Sequence, residues 1–259
     1  MTDLTPEIMA ARLREAEQTN TPIDPIRESI ANADQAYAIQ EINTVARLES
    51  GGRLVGRKIG LTNPVVQKQL GVDQPDYGML FADMEIDHGG EIAYAKGAQN
   101  RVEAELAFVI GKDLPEPQTS MAEVLRAIEY VVPSLEIVGS RIRDWDIGFV
   151  DTVADNASSA YFTLGPSPKR LSDVDLLNCK MEMTCNGDQV SAGAGRQCLG
   201  SPLNAVLWLA RVMAHVGRPL GEGDIVLSGA LGPMAAASAD TVFTAQIEGF
   251  GETSVRFGA

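Results

Sequence analysis

Apolar residues at helical spacing open the chain. Thr5-Pro6 offers a cap followed by a proline at the first helical position, and Met9, Leu13 and Ala16 recur at i, i+4 and i+7. Thr21 to Pro25 reads as a connector. A second helix is predicted from Asn32, with Ala38, Ile42 and Val45 on its buried stripe and a stop before Gly51-Gly52. Beyond Gly52 the texture changes. Arg53 to Thr62 predicts a strand, Asn63-Pro64 caps a short helix ending at Gly71, and residues 72–84, broken by Pro75 and Gly78, read as an ordered loop. Val102 to Ile110 predicts a strand. Ser120 and Glu123 form a capping box for a helix to about Tyr130, and Val131 to Val138 is a strand with an irregular start at Pro133. Gly193-Ala194-Gly195 reads as a mobile or turn-forming loop. Ser201-Pro202 opens the best-patterned helix, with Leu203, Val206, Leu207 and Ala210 as its buried stripe and Gly217 as its stop. Asp224 to Ser228, Val242 to Ile247 and Thr253 to Phe257 predict short strands between glycine turns. The expected class is α+β: a small helical N-terminal segment over residues 1–50 and a β-rich body over 51–259.

The composition narrows the function. At 259 residues the chain has length for one large domain or two small ones. Asp plus Glu is 35 against 21 Lys plus Arg, a formal charge of −14, so nucleic acid and anionic membrane are poor partners. No apolar run reaches the roughly 20 residues that cross a bilayer. Met1-Thr2-Asp3-Leu4 lacks the basic and apolar regions of a secretory signal. Cys179, Cys185 and Cys198 form no CxxC pair, which suits a reducing cytoplasm. The two histidines lie in a turn (His88) and near a helix end (His215), a poor basis for a Ser-His-Asp hydrolase or a histidine-rich zinc site. Gly51 to Lys58 has Arg57 and Lys58 where a phosphate loop needs Lys and Ser or Thr. After Gly193 and Gly195 the next glycine is Gly200, the wrong spacing for a dinucleotide fingerprint.

The informative segment is Arg101 to Ile110, RVEAELAFVI. Glu103 and Glu105, two apart in a strand, project from one face roughly 7 Å apart. Taken alone they would make a wet acidic face. Ala107 and Val109 continue that face, however, and Leu106, Phe108 and Ile110 fill the other. A strand apolar on both faces is buried on both, so the glutamates point into an interior or a cleft. Carboxylates placed there demand a cation or a raised pKa. Glu136 sits equally isolated in VVPSLEIV, with an ion pair to Arg141 or Arg143 as its structural alternative. Three such carboxylates without His or Cys suit magnesium or manganese rather than zinc. Two polar features remain: Lys58, a cleft ammonium or a snorkelling surface residue, and the Asp151, Asp155, Asn156 and Ser158 group, a site wall or a surface loop with Asx turns.

GRKIGLT (Gly56 to Thr62), QKQLGVDQPDYGMLFADM (Gln67 to Met84), Glu103-Ala104-Glu105, LEIVGSRIRDWDIGFVDTVADNAS (Leu135 to Ser158) and GDIVLSGALGPM (Gly223 to Met234) together resemble the 2-keto-4-pentenoate (2-hydroxypenta-2,4-dienoate) hydratases of the fumarylacetoacetate hydrolase superfamily. The likeness runs in order along nearly the whole chain. It implies that family's β-rich mixed sheet or roll, with residues 51–259 as the metal-binding catalytic domain. It also implies Mg2+ or Mn2+ on Glu103, Glu105 and Glu136, catalytic roles for Lys58 and Asp76, and substrate contacts at Arg141, Ser158, Ser228 and Gly229. The implied reaction is hydration of a small 2-hydroxydienoate in meta-cleavage degradation of aromatic compounds, by a homo-oligomer, pentamer or decamer. The related 4-oxalocrotonate (2-oxo-3-hexenedioate) decarboxylases share this chemistry, and a non-catalytic binding or assembly subunit is the alternative of another class.

Overall fold

Capping fixes where the first helices begin. In the computed structural model, which describes residues 5–64, 67, 68, 72–96 and 99–259, Thr5 accepts a hydrogen bond from the Ile8 N–H at the start of α1 (Pro6–Thr19). Asn32 does the same for Gln35 at the start of α2 (Ala33–Glu49). Met9, Leu13 and Ala16 are buried as expected. The expected α2 stripe is not the buried one. Ala36, Ile39, Gln40 and Thr44 face inward, while Ala38 and Val45 are exposed. Gln40 is the reason: its amide donates to the carbonyls of Tyr77 and Val153 at 2.9 and 3.0 Å, so a polar residue occupies the core face with its donors satisfied.

The body is two sheets. The first, seven strands among the described residues, runs β2 (Asp76–Phe81), β1 (Leu54–Gly60), β9 (Ile225–Leu227), β4 (Arg101–Ile110), β5 (Ile128–Val138), β6 (Ser159–Leu164), with β10 (Ala235–Ala236) paired to the start of β4. The second orders β3 (Glu91–Ala93), β12 (Gly251–Gly258), β11 (Thr241–Ile247), β7 (Lys180–Cys185), β8 (Asp188–Ala194). Strands β11 and β12 pack on β5, and the large buried side chains Phe108, Phe162, Phe243 and Phe257 fill the shared core. Helix α3 (Met121–Ala127) begins at the Ser120–Glu123 capping box, but gives way directly to β5 rather than running to Tyr130. Helix α4 is Phe149–Ala154. Helix α5 (Pro202–His215) buries Ala205, Val206, Leu209, Ala210 and Met213, leaving Leu203 and Leu207 only partly buried.

Two segments read as loops are strands. Residues 76–81 form β2, buried throughout, and Gly193 and Ala194 end β8. In both the glycine marks close approach of another backbone: a Cβ on Gly78 would lie 2.4 Å from the Asn156 carbonyl oxygen, and one on Gly193 1.8 Å from that of Leu231. The helix expected over 64–71 runs through residues outside those described. A second cluster of buried apolar residues joins α1 and α2 to Ile142, Val153 and Ala154. Among the described residues no helix is long and apolar enough to cross a membrane.

Candidate metal and active site

Strand pairing assembles the carboxylates. Glu103 on β4 lies directly opposite Glu136 on β5, with Glu105 two residues further along the same face. One carboxylate oxygen from each lies within 4.8 Å of the others. Glu105 and Glu136 are fully buried. Such a trio repels itself unless a cation or protons intervene. Lys58 on β1 supplies one cation. Its Nζ stands 3.1 Å from Glu136 Oε1, so the partner of Glu136 is Lys58. Arg141 pairs with Asp155 and Arg143 with Asp24 instead.

Asp76 completes the group. It sits opposite Gly60 in the β1–β2 ladder, and a Cβ on Gly60 would meet its Oδ1 at 2.1 Å. The missing side chain is what lets the carboxylate fold over the strand beside Lys58. Burial, then repulsion from Glu136, lifts Asp76 to about 6 against the pull of Lys58. Burial and Glu136 lift Glu103 to about 7, and burial with Glu136 and Glu103 holds Glu105 well above the ordinary range. Burial would pull Lys58 down, but Glu136, Asp76, Glu103 and Glu105 together outweigh it and raise it. Lys58 is therefore an ammonium throughout the neutral range.

Backbone geometry orients one ligand candidate. The Gly229 N–H donates to Glu105 Oε2 at 2.9 Å. Gly229 adopts φ +105°, and a Cβ there would lie 2.4 Å from Thr62 Oγ1, so glycine is needed. The preceding Ser228 carbonyl accepts from the buried Cys198 thiol at 2.9 Å. Thr62, Cys198 and Gly60 thus support the site, and nothing in their local sequence pattern singled them out. Arg101 extends the acidic face by one step towards the chain start, a signal carried by the alternation in RVEAE.

The oxygens are prepared for a cation. Glu105 Oε1 and Glu136 Oε2 are buried without a hydrogen-bond donor, Glu136 Oε1 faces the Lys58 ammonium, and the donor set is oxygen only. Buried, unsatisfied carboxylate oxygens in close register fit a hard divalent ion.

Arg141 and Ser158 belong to a neighbouring network. Arg141 spends its guanidinium on the Asp155 carboxylate and on the carbonyls of Asp155 and Ser159, and Ser158 Oγ lies 3.1 Å from Thr152 Oγ1. Asp151 accepts from the backbone N–H groups of Ile26, Arg27 and Gly148, fastening the connector to α4. Asn156 clamps the Met79 backbone through both amide atoms. Asn156, Ala157 and Ser158 run at φ 53°, 51° and 55°, a strained left-handed turn laid across Gly78. A cavity of about 790 Å3 between the N-terminal helices and the body is lined in part by Arg141, Asp155 and Asn156, but by none of the five clustered charged residues.

Three close carboxylates beside a buried lysine, one of them held by the Gly229 N–H, form a site suited to a metal-assisted enzyme. The family model described as fumarylacetoacetate (FAA) hydrolase C-terminal matches residues 54–257. The chain belongs to that family. It is 56% identical over 256 residues to 2-keto-4-pentenoate hydratase 2 of Dechloromonas aromatica, covering 98% of each chain. To the TodF product hydratase of Pseudomonas putida F1 it is 56% identical over 247 residues, 95% of this chain and 92% of that one. Among solved structures, 4-oxalocrotonate decarboxylase from Pseudomonas putida G7, complexed with magnesium and adipate, superposes with a TM-score of 0.93 at 30% identity, over 96% of this chain and 95% of that one.

Proposed function

We propose that the protein is a divalent-metal-dependent hydratase that converts 2-hydroxypenta-2,4-dienoate to 4-hydroxy-2-oxopentanoate in the meta-cleavage breakdown of aromatic compounds. The observation that carries the reading is the meeting of buried Glu105 and Glu136 and half-buried Glu103 with Lys58, in a chain whose 56%-identical relatives bear the hydratase name. The decarboxylase likeness is lower, at 30%.

Glu103, Glu105 and Glu136 would hold Mg2+ or Mn2+, which when bound supplies Lewis-acid charge to the substrate's carboxylate and 2-oxygen. The remaining work falls to the chain. The dienol gains a proton at C5 and loses its enol proton, giving the 2-oxo-3-enoate. Water then adds, hydroxyl to C4 and hydrogen to C3, so substrate plus one water equals product. Asp76, lifted to about 6, exchanges a proton readily near neutrality and suits delivery at C5 or activation of the water. Lys58 remains charged, neutralises Glu136 and orients the water or the developing enolate oxygen. Ser228 and Gly229 border the substrate in this reading, Gly229 through the Glu105 that it holds, while Arg141 and Ser158 support the neighbouring wall through Asp155 and Thr152. A cytoplasmic, ring-like homo-oligomer belongs to the same reading, and three unpaired cysteines suit a reducing compartment.

The test is loss of the dienol's ultraviolet absorbance with the product identified by mass. A product heavier by one water supports the hydratase. Loss of carbon dioxide from 2-oxo-3-hexenedioate, with the pentadienoate untouched, overturns it in favour of the decarboxylase.

A further inference from the structure

The acidic face of β4 carries a charged residue that this chemistry leaves unused. Arg101 stands two residues before Glu103, so its side chain leaves the strand on the same side, opposite Val138. It is only partly buried. Its guanidinium carbon lies 4.4 Å from the centre of the Trp145 ring, and Nη1 contacts Met234 Sδ at 3.7 Å. Trp145 is itself fixed, its indole N–H donating to the Gln99 carbonyl at 2.8 Å.

Among the described residues no carboxylate lies at salt-bridge distance from Arg101, although its charge acts on Glu103 from further off. The buried arginines Arg57 and Arg141 each hold an Asp at salt-bridge distance, whereas the Arg101 fork lies against a ring and a thioether. A guanidinium has five N–H donors, and the thioether contact uses one weakly. An aromatic face and a methionine therefore hold the fork in place while leaving its donors available. Electrostatics call for such a group. Asp76, Glu103, Glu105 and Glu136, when ionised, outweigh Lys58 and one divalent ion, so an anionic substrate meets a net negative cleft.

We propose that Arg101 recognises the substrate's carboxylate at the mouth of this cleft. The planar, fixed fork matches a carboxylate in two-point contact, which a lysine at the same place would not. The assignment deepens the hydratase reading and rests on it for the identity of the substrate.

The test compares manganese-loaded wild type, Arg101→Gln and Arg101→Lys by calorimetric binding of pyruvate and of its uncharged amide, pyruvamide, alongside KM and kcat for the dienoate. Arg101→Gln weakens pyruvate roughly 10- to 100-fold, leaves pyruvamide unchanged, and raises KM by a similar factor with kcat little altered. Arg101→Lys, which keeps a stem over Trp145, loses less. Manganese affinity is not weakened in either variant, because a neighbouring cation has been removed or kept. Pyruvate affinity within about twofold of wild type, an equal loss for pyruvamide, or no pyruvate binding by wild type overturns the proposal. If pyruvate depends on Arg101 but the dienoate is not hydrated, the carboxylate clamp stands and the hydratase reading falls.

Discussion

Replacing Glu103 by Gln keeps the side chain's size and removes one of three mutually repelling charges, so stability and metal binding should move in opposite directions. In the metal-free protein burial and Glu136 lift the Glu103 pKa from 4.5 to about 7. That rise corresponds to about 3 kcal/mol, an upper figure because Glu103 is partly exposed and screened by solvent. The folded pKa lies above the unfolded one. The stability that this group contributes is therefore complete below pH 4.5 and is lost as pH rises through about 7. Metal-free Glu103→Gln should match wild type near pH 4.5 and exceed it by up to about 3 kcal/mol at about pH 8. Manganese at about 100 times its dissociation constant adds about 2.7 kcal/mol to wild type and nothing to the variant. Urea unfolding of EDTA-treated protein at the two pH values, with and without manganese, reads all four quantities. A variant less stable than wild type at the higher pH would refute the repulsion argument, and a retained manganese shift would refute the ligand assignment.

Other expectations follow from the same geometry. Manganese must displace the proton that Glu103, lifted to about 7, holds in part near neutrality, so calorimetry in buffers of different ionisation heat should show proton release at about pH 7; no release there contradicts the raised pKa of Glu103. Gly229→Ala forces a Cβ into φ +105° and against Thr62, costing roughly 1–3 kcal/mol in urea unfolding and weakening manganese binding through Glu105. Unchanged values for both would mean that the loop relaxes freely. Cys185, partly exposed, should react with a thiol reagent first. The fully buried Cys198, whose thiol burial pushes up to about 12, should react only on unfolding, and early labelling at Cys198 would show that the Ser228–Gly229 support opens in the native state.

Much of the site was legible because it depends on a short-range rule. Alternation along β4 placed Glu103 and Glu105 on one face, and the apolar residues around them implied burial. The cap signals at Thr5, Ser120 and Ser201 marked helix starts for the same local reason. What the pattern concealed depends on distant partners. Gln40 occupies the core face of α2 only because Tyr77 and Val153 offer carbonyls, so a hydrophobic stripe pointed to the wrong side. Gly78 looked like a strand breaker, yet it is the place where the Asn156 turn crosses β2. Lys58 and Glu136 are far apart in sequence and meet only once β1, β9, β4 and β5 lie side by side, which no local window contains.

Glu103, Glu105 and Glu136 are expected to bind one divalent ion on which hydration depends. The direct measurement titrates manganese into EDTA-stripped protein while following dienol loss and metal occupancy together. Negligible turnover is expected without metal, with activity rising in proportion to occupancy up to one ion per chain and no recovery in Glu136→Gln. Full turnover by the stripped protein, or activity that saturates while the carboxylate site remains empty, would contradict that dependence.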